Sequence, residues 1–547
     1  MTRADLAPLW RVLELWRGRA GWLATGLVVT VAALAAGIGL SVLAGAGVAA
    51  VALGGVFAAP LLFRLLGPLR VGLRYAERMV THAALFRALA DLRVWFFAGL
   101  ARRAAGGLGF RRAGDVLARL VGDVEALDAV YMRVLLPLCC AALLVPVLLA
   151  VIGHAQPALA LSVVLLFGLA AFVLPARAAR DALEGGRRLT AAEGGLRVAA
   201  LDALGGLREV RAFAAEGRML ALIQAREAAM LAGQHDIARR VARAGAAAFL
   251  CGQAALLAVL LTAGAHPAEA VAAFLLTAAA FEVALGLPKA GVLAGRAIAA
   301  AARVVETADG PIPVPDPAHP VAPPAGHALR FEGVGFRWAA GAPLVLDGLT
   351  LDVPEGMRVA ILGPSGAGKS TLAALLLRVA VPEVGAIRLG GVDIASMNAA
   401  DLRARIAWLS QATHLFDDTI RANLLLGRPD ADEPALWAAL EAARIADLVR
   451  GLPHGLDSQV GEAGNLFSGG QGRRLALARA LLSPAPVLLL DEPCAGLDAE
   501  TEREFFAVLN ETAQGRTVII IAHRLTGAER LDRIFRLSAG HAVAAAG

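Results

Sequence analysis

The chain has 547 residues, of which 58% are hydrophobic and only 18% are charged. Together with a mean hydropathy of +0.64, this composition excludes an ordinary soluble globular protein, which does not carry such an apolar excess. The formal net charge of +6 needs no nucleic-acid partner, because basic segments beside anionic lipid headgroups account for it.

Six apolar stretches in the first half of the chain are each close to the roughly 20 residues that a helix needs to cross a bilayer. They are residues 20–44, 48–69, 134–152, 158–174, 246–263 and 267–287. The second stretch is the weakest of the six, because Arg64 interrupts it. The pattern predicts a transmembrane domain over residues 1–305, with six helices and cytoplasmic extensions.

The distribution of arginine predicts the orientation of these helices. Arginines precede the first span and are frequent in residues 70–133 and 175–244, whereas the connections at 45–48, 153–156 and 264–266 contain neither Lys nor Arg. Because connections rich in Lys and Arg stay in the cytoplasm, both termini are predicted to be cytoplasmic.

Each long cytoplasmic segment contains a stretch with the apolar periodicity of an amphipathic helix, at residues 114–128 and 201–215. Both stretches lie midway between spans, so we expect short helices at membrane-distal turns. A solvated helix on the protein surface is the alternative interpretation.

Seven prolines lie between Glu306 and His327. So many prolines exclude a single helix or a central strand, and they predict an extended linker over residues 306–328. A second domain is expected to follow over residues 329–547.

Four cysteines are present, and two of them are adjacent in the third span. Neighbouring side chains on a helix point about 100° apart, so these two do not easily form a disulfide. Thiols buried in a span behave as small apolar residues, so we expect packing roles, with a redox role as the alternative. The four are Cys139, Cys140, Cys251 and Cys494.

A glycine-rich loop begins the core of the second domain, between an apolar run at residues 359–362 and another at residues 372–380. In a loop between a strand and a helix, backbone N–H groups face the β-phosphate, Lys369 reaches the β- and γ-phosphate oxygens, and the Ser370 hydroxyl binds Mg²⁺. Only two lysines occur in the chain, Lys289 and Lys369, which argues against a chance match. The predicted ATP or GTP site contains Gly363, Pro364, Ser365, Gly366, Ala367, Gly368, Lys369, Ser370 and Thr371.

Carboxylates follow a second strongly apolar strand at residues 487–490. At this strand tip Asp491 is placed to hold Mg²⁺, and Glu492 is placed to polarise the attacking water. A β-branched strand at residues 517–522 brings His523 to the same edge of the sheet, where its imidazole can donate to the γ-phosphate.

A second anion-binding element is predicted at the start of another helix. Ser468, Gly469, Gly470 and Gln471 precede the helical residues 473–482 and offer a hydroxyl and bare backbone amides. A phosphate-binding loop with its own complete pocket does not need a second phosphate cradle.

Together these motifs resemble the nucleotide-binding domain of ATP-binding-cassette transporters. The resemblance implies that Glu492 and His523 are the catalytic residues. In this family two such domains close head to tail, so that the signature at residues 468–471 completes the ATP site of the partner. Phe467 stands where the family signature has leucine, which affects only the site that this signature completes.

The same resemblance assigns further residues to the ATP site. It implies that Gln411 joins Ser370 and Asp491 around Mg²⁺. It places Asp498, in the D-loop, beside the ATP. Trp338 lies where the family usually has a tyrosine that stacks on adenine, and an indole offers a larger face for the same contact.

The family also implies a fold: an α-helical six-span exporter domain of type IV, followed by an α/β P-loop ATPase domain. In such exporters the amphipathic stretches at membrane-distal turns are coupling helices that sit in grooves of the nucleotide-binding domains.

The membrane segments are similar to those of one branch of this family, the CydC proteins. The similarity rests on Arg-Tyr-Ala-Glu-Arg-Met-Val-Thr-His at residues 74–82, on residues 123–133 and on Phe281-Glu282. It implies a half-transporter of the bacterial inner membrane that forms a heterodimer with a CydD-like subunit. Its cargo would be cysteine and glutathione, or heme, in support of cytochrome bd assembly.

Two alternatives remain open at this point. One is a lipid or drug exporter that works as a homodimer, although residues 74–82 argue against it. The other is a membrane protein that responds to heme or to redox state and uses ATP for conformational control.

Ionisable residues in or beside the spans are the candidate substrate or heme ligands. His82 follows the second span, with Arg74, Tyr75 and Arg78 within about two helical turns before it. A neutral imidazole can ligate heme iron and arginines can pair with the propionates, whereas a histidine that caps a helix is the alternative. Glu282 lies in the sixth span, where a carboxylate is costly in hydrocarbon, so we expect it to face a central cavity or an arginine.

Overall fold

The computed structural model describes residues 3–52, 60–104, 122–154, 156–262, 267–411, 414–494, 499–513, 515–538 and 540–544. The described residues form two compact units: residues up to 101 and from 122 to 310 belong to the first, and residues 102–104 together with those from 311 onward belong to the second. The predicted features that lie wholly or partly outside these ranges include Asp498, residues 114–121 of the first amphipathic stretch, residues 53–59 of the second span, residue 263 of the fifth span and the connection at 264–266.

Long helices make up the first unit. They are α1 (Arg3–Leu15), α2 (Ala20–Ala52), α3 (Pro60–Ala104), α4 (Val124–Ala126), α5 (Leu136–Gly153), α6 (Pro157–Gly168), α7 (Leu174–Gly205), α8 (Leu207–Ala212), α9 (Glu216–Thr262) and α10 (Pro267–Asp309). A 3₁₀ turn at Trp16–Arg19 precedes α2, and π-helical turns at Val130–Leu135 and Leu169–Val173 precede α5 and α7.

Within the described ranges, five helical segments are long and apolar enough to cross a membrane. The predicted second span, at residues 48–69, is not among the five, and its central part lies outside the described residues. The unit therefore has the character of a multi-pass membrane domain.

Helix α10 is the centre of this unit, because it packs against α1, α2, α5, α7 and α9. Two of its glycines allow its backbone to approach that of α7. A Cβ atom at Gly291 would lie 2.2 Å from the carbonyl oxygen of Pro175, and one at Gly295 would lie 2.5 Å from that of Ala179. Two small residues four positions apart are the pattern that lets helix backbones come close in membranes.

Ion pairs hold the C-terminal part of α10. Arg303 donates to both carboxylate oxygens of Asp123, over 2.9 and 2.6 Å, and Arg11 donates to Asp309 over 2.7 Å. The predicted linker begins at residue 306, but residues 306–309 are still helical, because the first proline of the predicted linker is Pro311.

The second amphipathic stretch, residues 201–215, is a turn between two long helices. α7 ends in this stretch, Gly206 breaks the helix, and the short α8 follows before α9 begins. Leu204, Leu207 and Phe213 are all exposed there. The turn therefore presents apolar side chains at the surface of its unit.

Two sheets form the second unit. The strands are β1 (Leu329–Phe336), β2 (Leu346–Val353), β3 (Arg358–Leu362), β4 (Val384–Leu389), β5 (Val392–Asp393), β6 (Ile406–Leu409), β7 (Val487–Asp491), β8 (Thr517–Ala522), β9 (Arg533–Ser538) and β10 (His541–Ala544). An antiparallel sheet has the order β2-β1-β4-β5. The larger sheet has the order β10-β9-β3-β8-β7-β6, in which every pair except β9 and β10 is parallel.

Helices cover these sheets and form a separate helical subdomain. They are α11 (Lys369–Leu376), α12 (Ala399–Ala404), α13 (Ile420–Leu425), α14 (Glu433–Ala442), α15 (Ala446–Arg450), α16 (Gly469–Leu482) and α17 (Ala499–Thr512). One apolar core lies between the two sheets and α11. A second core joins α13, α14, α16 and α17 to β6 and β7. This α/β arrangement is the one that a P-loop ATPase domain requires.

The proline-rich segment after α10 is bound to the second unit. Arg378, which is only 3% exposed, donates to Asp316 over 3.0 Å and to the carbonyl oxygen of Pro315. Further along, the Val321 N–H donates to the carbonyl oxygen of Ser396 over 2.8 Å. The segment is therefore held by hydrogen bonds although it contains neither a helix nor a strand.

All four cysteines are free. Burial raises the pKa of the Cys494 thiol to about 12, and Glu502 adds to the effect. The thiol is therefore protonated at neutral pH, where it behaves as a small apolar group.

The close contact between α7 and α10 can be tested by substitution. Replacing Gly295 with leucine should lower the free energy of unfolding by about 1–3 kcal/mol, because the added side chain must push the two backbones apart. The midpoint of thermal unfolding of the purified protein in detergent measures this effect. Gly286→Leu, on the same helix but with no atom within 4 Å of its Cβ position, is the control. Equal midpoints for the two variants would contradict the packing described.

Candidate active site

The glycine-rich loop joins β3 to α11. Gly366 and Gly368 adopt φ angles of +81° and +99°, which only glycine adopts without strain. A Cβ atom at Gly368 would also lie 2.8 Å from a methyl carbon of Leu346. Pro364, Ser365, Gly366 and Ser370 are exposed, so this side of the loop is open to a ligand.

Lys369 lies at the start of α11 and is only 6% exposed. Its ammonium group donates to the carbonyl oxygens of Gly363, over 2.7 Å, and Pro364, over 3.0 Å. Burial lowers the pKa of Lys369, and the nearby carboxylates of Glu492 and Asp491 act in the opposite direction. The loop thus holds a secluded cation beside the acidic end of β7.

Asp491 ends β7 and is only 5% exposed. Burial raises the pKa of its carboxyl, and the neighbouring Glu492 raises it further. Its Oδ1 atom is buried and has no hydrogen-bond partner among the described residues. A buried carboxylate oxygen without a partner is costly, and coordination to Mg²⁺ would satisfy it. One carboxylate with hydroxyl and amide oxygens is a set that suits Mg²⁺, so Asp491, Ser370 and Gln411 fit this ion.

Glu492 is the centre of a hydrogen-bonded cluster. One of its carboxylate oxygens lies 2.7 Å from Nε2 of His523, and the other accepts a bond from the Gln411 side chain over 2.8 Å. Nδ1 of His523 lies 3.1 Å from the carbonyl oxygen of Gly363 and 3.3 Å from Nζ of Lys369. Three predicted residues from distant parts of the sequence therefore meet next to the glycine-rich loop.

The aromatic residue expected to stack on adenine is oriented by the loop helix. The indole N–H of Trp338 donates to the Thr371 hydroxyl over 3.2 Å, and its ring packs edge-to-face against Phe336 with centroids 5.0 Å apart. Trp338 is 46% exposed. Part of the indole is thus accessible for stacking while its orientation is fixed.

The predicted signature begins α16. The Ser468 hydroxyl accepts a bond from the Gln471 N–H over 3.3 Å, and the Gln471 side chain accepts one from the Ser468 N–H over 2.9 Å. In this reciprocal capping box the Gln471 side chain already has a hydrogen-bond partner in its own helix start. Gly469 has no atom within 4 Å of its Cβ position, so the helix start is sterically open to an anionic group.

Arg473 is a residue of this region whose contacts the sequence does not reveal. It is 7% exposed, and its guanidinium donates to the carbonyl oxygens of Gln411 over 2.8 Å and of Asp491 over 3.4 Å. It also donates to the carbonyl oxygens of Glu492 and Pro493. Its only sequence signal is its place five residues after the signature serine.

The candidate heme and substrate residues of α3 lie on one exposed side of that helix. Arg74, Tyr75, Arg78 and His82 are all exposed, with Tyr75 at 69%. Nδ1 of His82 lies 2.8 Å from the carbonyl oxygen of Arg78. A carbonyl oxygen can only accept, so Nδ1 is the donor in this contact, and in a neutral imidazole Nε2 then has the lone pair.

Glu282 is also exposed, on α10. The sequence predicts that it faces a cavity or an arginine such as Arg64, Arg70 or Arg74, and no ion pair to Glu282 forms within the described ranges. A carboxylate within a membrane span needs water or a cationic partner. Of the two expectations, we therefore retain the one in which Glu282 faces a water-filled cavity.

Comparisons with known proteins agree with these motifs. A family model described as ABC transporter matches residues 346–495. Among solved structures, the chain is similar to one described as "Structure of a bacterial Atm1-family ABC exporter with ATP bound", with a TM-score of 0.85 and 26% identity. That similarity covers 96% of this chain and 94% of the solved chain. The fold is therefore that of an exporter membrane domain followed by a P-loop ATPase domain.

Two relatives match almost the whole chain, and both are named "Glutathione/L-cysteine transport system ATP-binding/permease protein CydC". The protein from Escherichia coli is 34% identical over 97% of this chain and 95% of its own length. The one from Haemophilus influenzae is 32% identical over 95% of this chain and 92% of its own length. By contrast, an "ATP-dependent lipid A-core flippase" from Chromohalobacter salexigens is 45% identical, but over only 39% of this chain and 37% of its own length. The chain therefore belongs to the CydC family of ATP-binding-cassette transporters, which hydrolyse ATP to drive transport.

Proposed function

We propose that this chain is one half of an exporter that moves cysteine or glutathione across the bacterial inner membrane, as a heterodimer with a CydD-like half-transporter. The observation that carries this proposal is the similarity over 97% of the chain to a relative named as a glutathione and cysteine transport protein. The flippase similarity covers less than half of either chain, which makes lipid a weaker candidate for the cargo.

We infer the following roles in hydrolysis. Residues 363–371 hold the phosphates of ATP through backbone N–H groups and Lys369, while Trp338 stacks on the adenine. Glu492 orients the attacking water and accepts its proton, and His523 donates to the γ-phosphate. The bond from the terminal phosphorus to the bridging oxygen breaks as the bond to the water oxygen forms, and ADP leaves.

Mg²⁺ would be held by Asp491, with Ser370 and Gln411 completing its protein ligands. When bound, this ion neutralises charge on the phosphate oxygens. The signature at residues 468–471 is assigned to the ATP site of the partner, where the hydroxyl of Ser468 and the amides of Gly469 and Gly470 offer donors. The side chain of Gln471 contributes less to this surface, because the capping box already uses it. Asp498 remains assigned to the D-loop.

The proposed setting is a protein with both termini in the cytoplasm and two domains, at residues 1–305 and 329–547, joined by the linker at 306–328. Hydrolysis then takes place on the cytoplasmic side, where ATP is available. The short helix α8 begins at the exposed Leu207 and is followed by the exposed Phe213, which suits a coupling helix.

Heme is the second candidate ligand, because of one specific observation. The Nδ1–H of His82 is directed to a backbone carbonyl oxygen, which fixes the tautomer and leaves Nε2 as the metal-binding atom. Arg74 and Arg78 lie on the same exposed side of α3 and would pair with the propionates. Tyr75 offers an exposed ring beside them.

The catalytic assignment is tested by Glu492→Gln in the assembled transporter. The change removes the carboxylate that accepts the proton of the water, so ATP hydrolysis should fall by about 10²-fold while ATP binding persists. Lys369→Ala should weaken both binding and hydrolysis. Steady-state phosphate release and equilibrium nucleotide binding are the measurements. The exposed Glu511 on α17 provides the control Glu511→Gln, and wild-type hydrolysis in Glu492→Gln would refute the assignment.

The cargo and the partner are tested in inverted membrane vesicles. Vesicles that contain this chain with a CydD-like subunit should take up radiolabelled cysteine or glutathione when ATP is added, and Glu492→Gln should abolish that uptake. Vesicles with this chain alone should show neither uptake nor substantial ATP hydrolysis, because each ATP site needs two chains. Robust ATP hydrolysis by the single chain would indicate a homodimer, and ATP-dependent movement of a labelled lipid would favour a flippase.

The heme site is tested by titrating hemin into the purified transporter. If Nε2 of His82 binds the iron, the wild-type protein should shift the Soret band, and His82→Ala should lose that shift and bind hemin more weakly. His235→Ala, at an exposed histidine on α9, is the matched control. Identical spectra and affinities for wild type and His82→Ala would exclude His82 as the ligand and favour thiol cargo.

A further inference from the structure

Arg473 is a buried cation without a carboxylate partner in the part of the chain that the structure describes. Its guanidinium instead binds four backbone carbonyl oxygens, those of Gln411, Asp491, Glu492 and Pro493. Burial lowers the pKa of Arg473, while Cys494 and the carboxylates of Glu492 and Asp491 oppose this effect. A buried charge whose direct contacts are all with backbone carbonyl groups is costly, so its position calls for a functional explanation.

The four carbonyl groups belong to two segments that the catalytic cluster needs. One is the segment that follows β6 and contains Gln411, whose side chain donates to the carboxylate of Glu492. The other is the end of β7, which carries Asp491 and Glu492 themselves. A guanidinium has five donors in a rigid planar fork, so one side chain can fix both backbones at once. The single ammonium group of a lysine cannot reach the carbonyl oxygens of both segments at once.

The backbone of Glu492 is strained, and Arg473 contacts it directly. Glu492 has a φ angle of +46°, in the left-handed region that residues with a Cβ rarely adopt. Such a conformation persists only where its surroundings hold it. Here the Glu492 N–H donates to the carbonyl oxygen of Ile521 over 2.8 Å, and the Glu492 carbonyl oxygen accepts from Arg473. The backbone N–H and the backbone carbonyl group of Glu492 are therefore both held by hydrogen bonds.

Resting on the catalytic role proposed above for Glu492, we propose that Arg473 is a positioning residue for ATP hydrolysis: it holds the backbones of Glu492 and Gln411 so that the Glu492 carboxylate is aimed at the attacking water. Arg473 touches neither nucleotide nor water in this role. It acts through the residue that does. Without its fork the Glu492 peptide relaxes from the left-handed conformation, and its carboxylate moves away from His523 and Gln411.

The test is Arg473→Gln in the assembled transporter, with kcat for ATP hydrolysis and the Kd for ATP measured separately. We expect kcat to fall by about tenfold or more, because small displacements of a catalytic group have effects of this size. The Kd for ATP should stay within about twofold of wild type, because the glycine-rich loop and Trp338 supply the binding contacts. A purely structural role would lower the thermal unfolding midpoint without this difference between kcat and Kd.

Arg516 provides a matched control. It lies just before β8 and contacts the C-terminal end of α16. It is half-buried, burial lowers its pKa, and it donates to the carbonyl oxygens of Leu481 and Ser483. Arg516→Gln should therefore lower the unfolding midpoint but leave kcat within about twofold of wild type. An equal loss of kcat in Arg516→Gln and Arg473→Gln would overturn the proposal, as would a kcat within about twofold of wild type in Arg473→Gln.

Arg473→Lys keeps the test decisive if the glutamine variant does not fold. It retains the positive charge but not the planar fork, so we expect a kcat reduced by about threefold or more with an unchanged Kd for ATP. A wild-type kcat in Arg473→Lys would overturn the proposal, because the charge alone would then suffice.

Discussion

The register of three parallel strands is the constraint on which the ATP site depends. Leu362 of β3 pairs with Ala522 of β8, and Asp491 of β7 pairs with Ile521 of the same strand. The carboxyl ends of the three strands therefore meet at one edge of the sheet. Every residue of β7 is buried, so a one-residue shift of its register would exchange the side chains between its two packed faces and move Asp491 away from the sheet edge. The glycine-rich loop, Glu492 and His523 come together because this core fixes where each strand ends.

In the first unit, the packing of apolar helices determines the structure, and ionisable side chains are either ion-paired or exposed. Some are paired, as Arg303 is with Asp123, where α10 extends beyond the apolar spans. Others stay exposed, as His82 and Glu282 do. Ionisable side chains do not face lipid readily, so the exposed ones define surfaces that need water, cargo or a second subunit. A half-transporter is the kind of protein that leaves such surfaces open.

The sequence predicts the fold and most of the ATP-site cluster, because each motif follows from local features: a strand end, a glycine-rich turn or a helix start. It does not predict the contacts between motifs. Arg473 and Gln411 are 62 positions apart, and no periodicity shows that their segments touch. The capping box of Gln471 forms only in one side-chain rotamer, which the sequence does not specify. The helix break at Gly206 lies within a stretch whose apolar periodicity continues on both sides, so the periodicity does not reveal it.

The seclusion of Lys369 has a practical consequence for labelling chemistry. The chain contains only one other lysine, Lys289, which is exposed on α10. An amine-reactive reagent therefore meets one accessible side chain and one that the carbonyl oxygens of Gly363 and Pro364 enclose. Labelling of the folded protein is therefore expected at Lys289 and at the α-amino group, with Lys369 protected. Modification at Lys369 then reports directly on how often the glycine-rich loop opens.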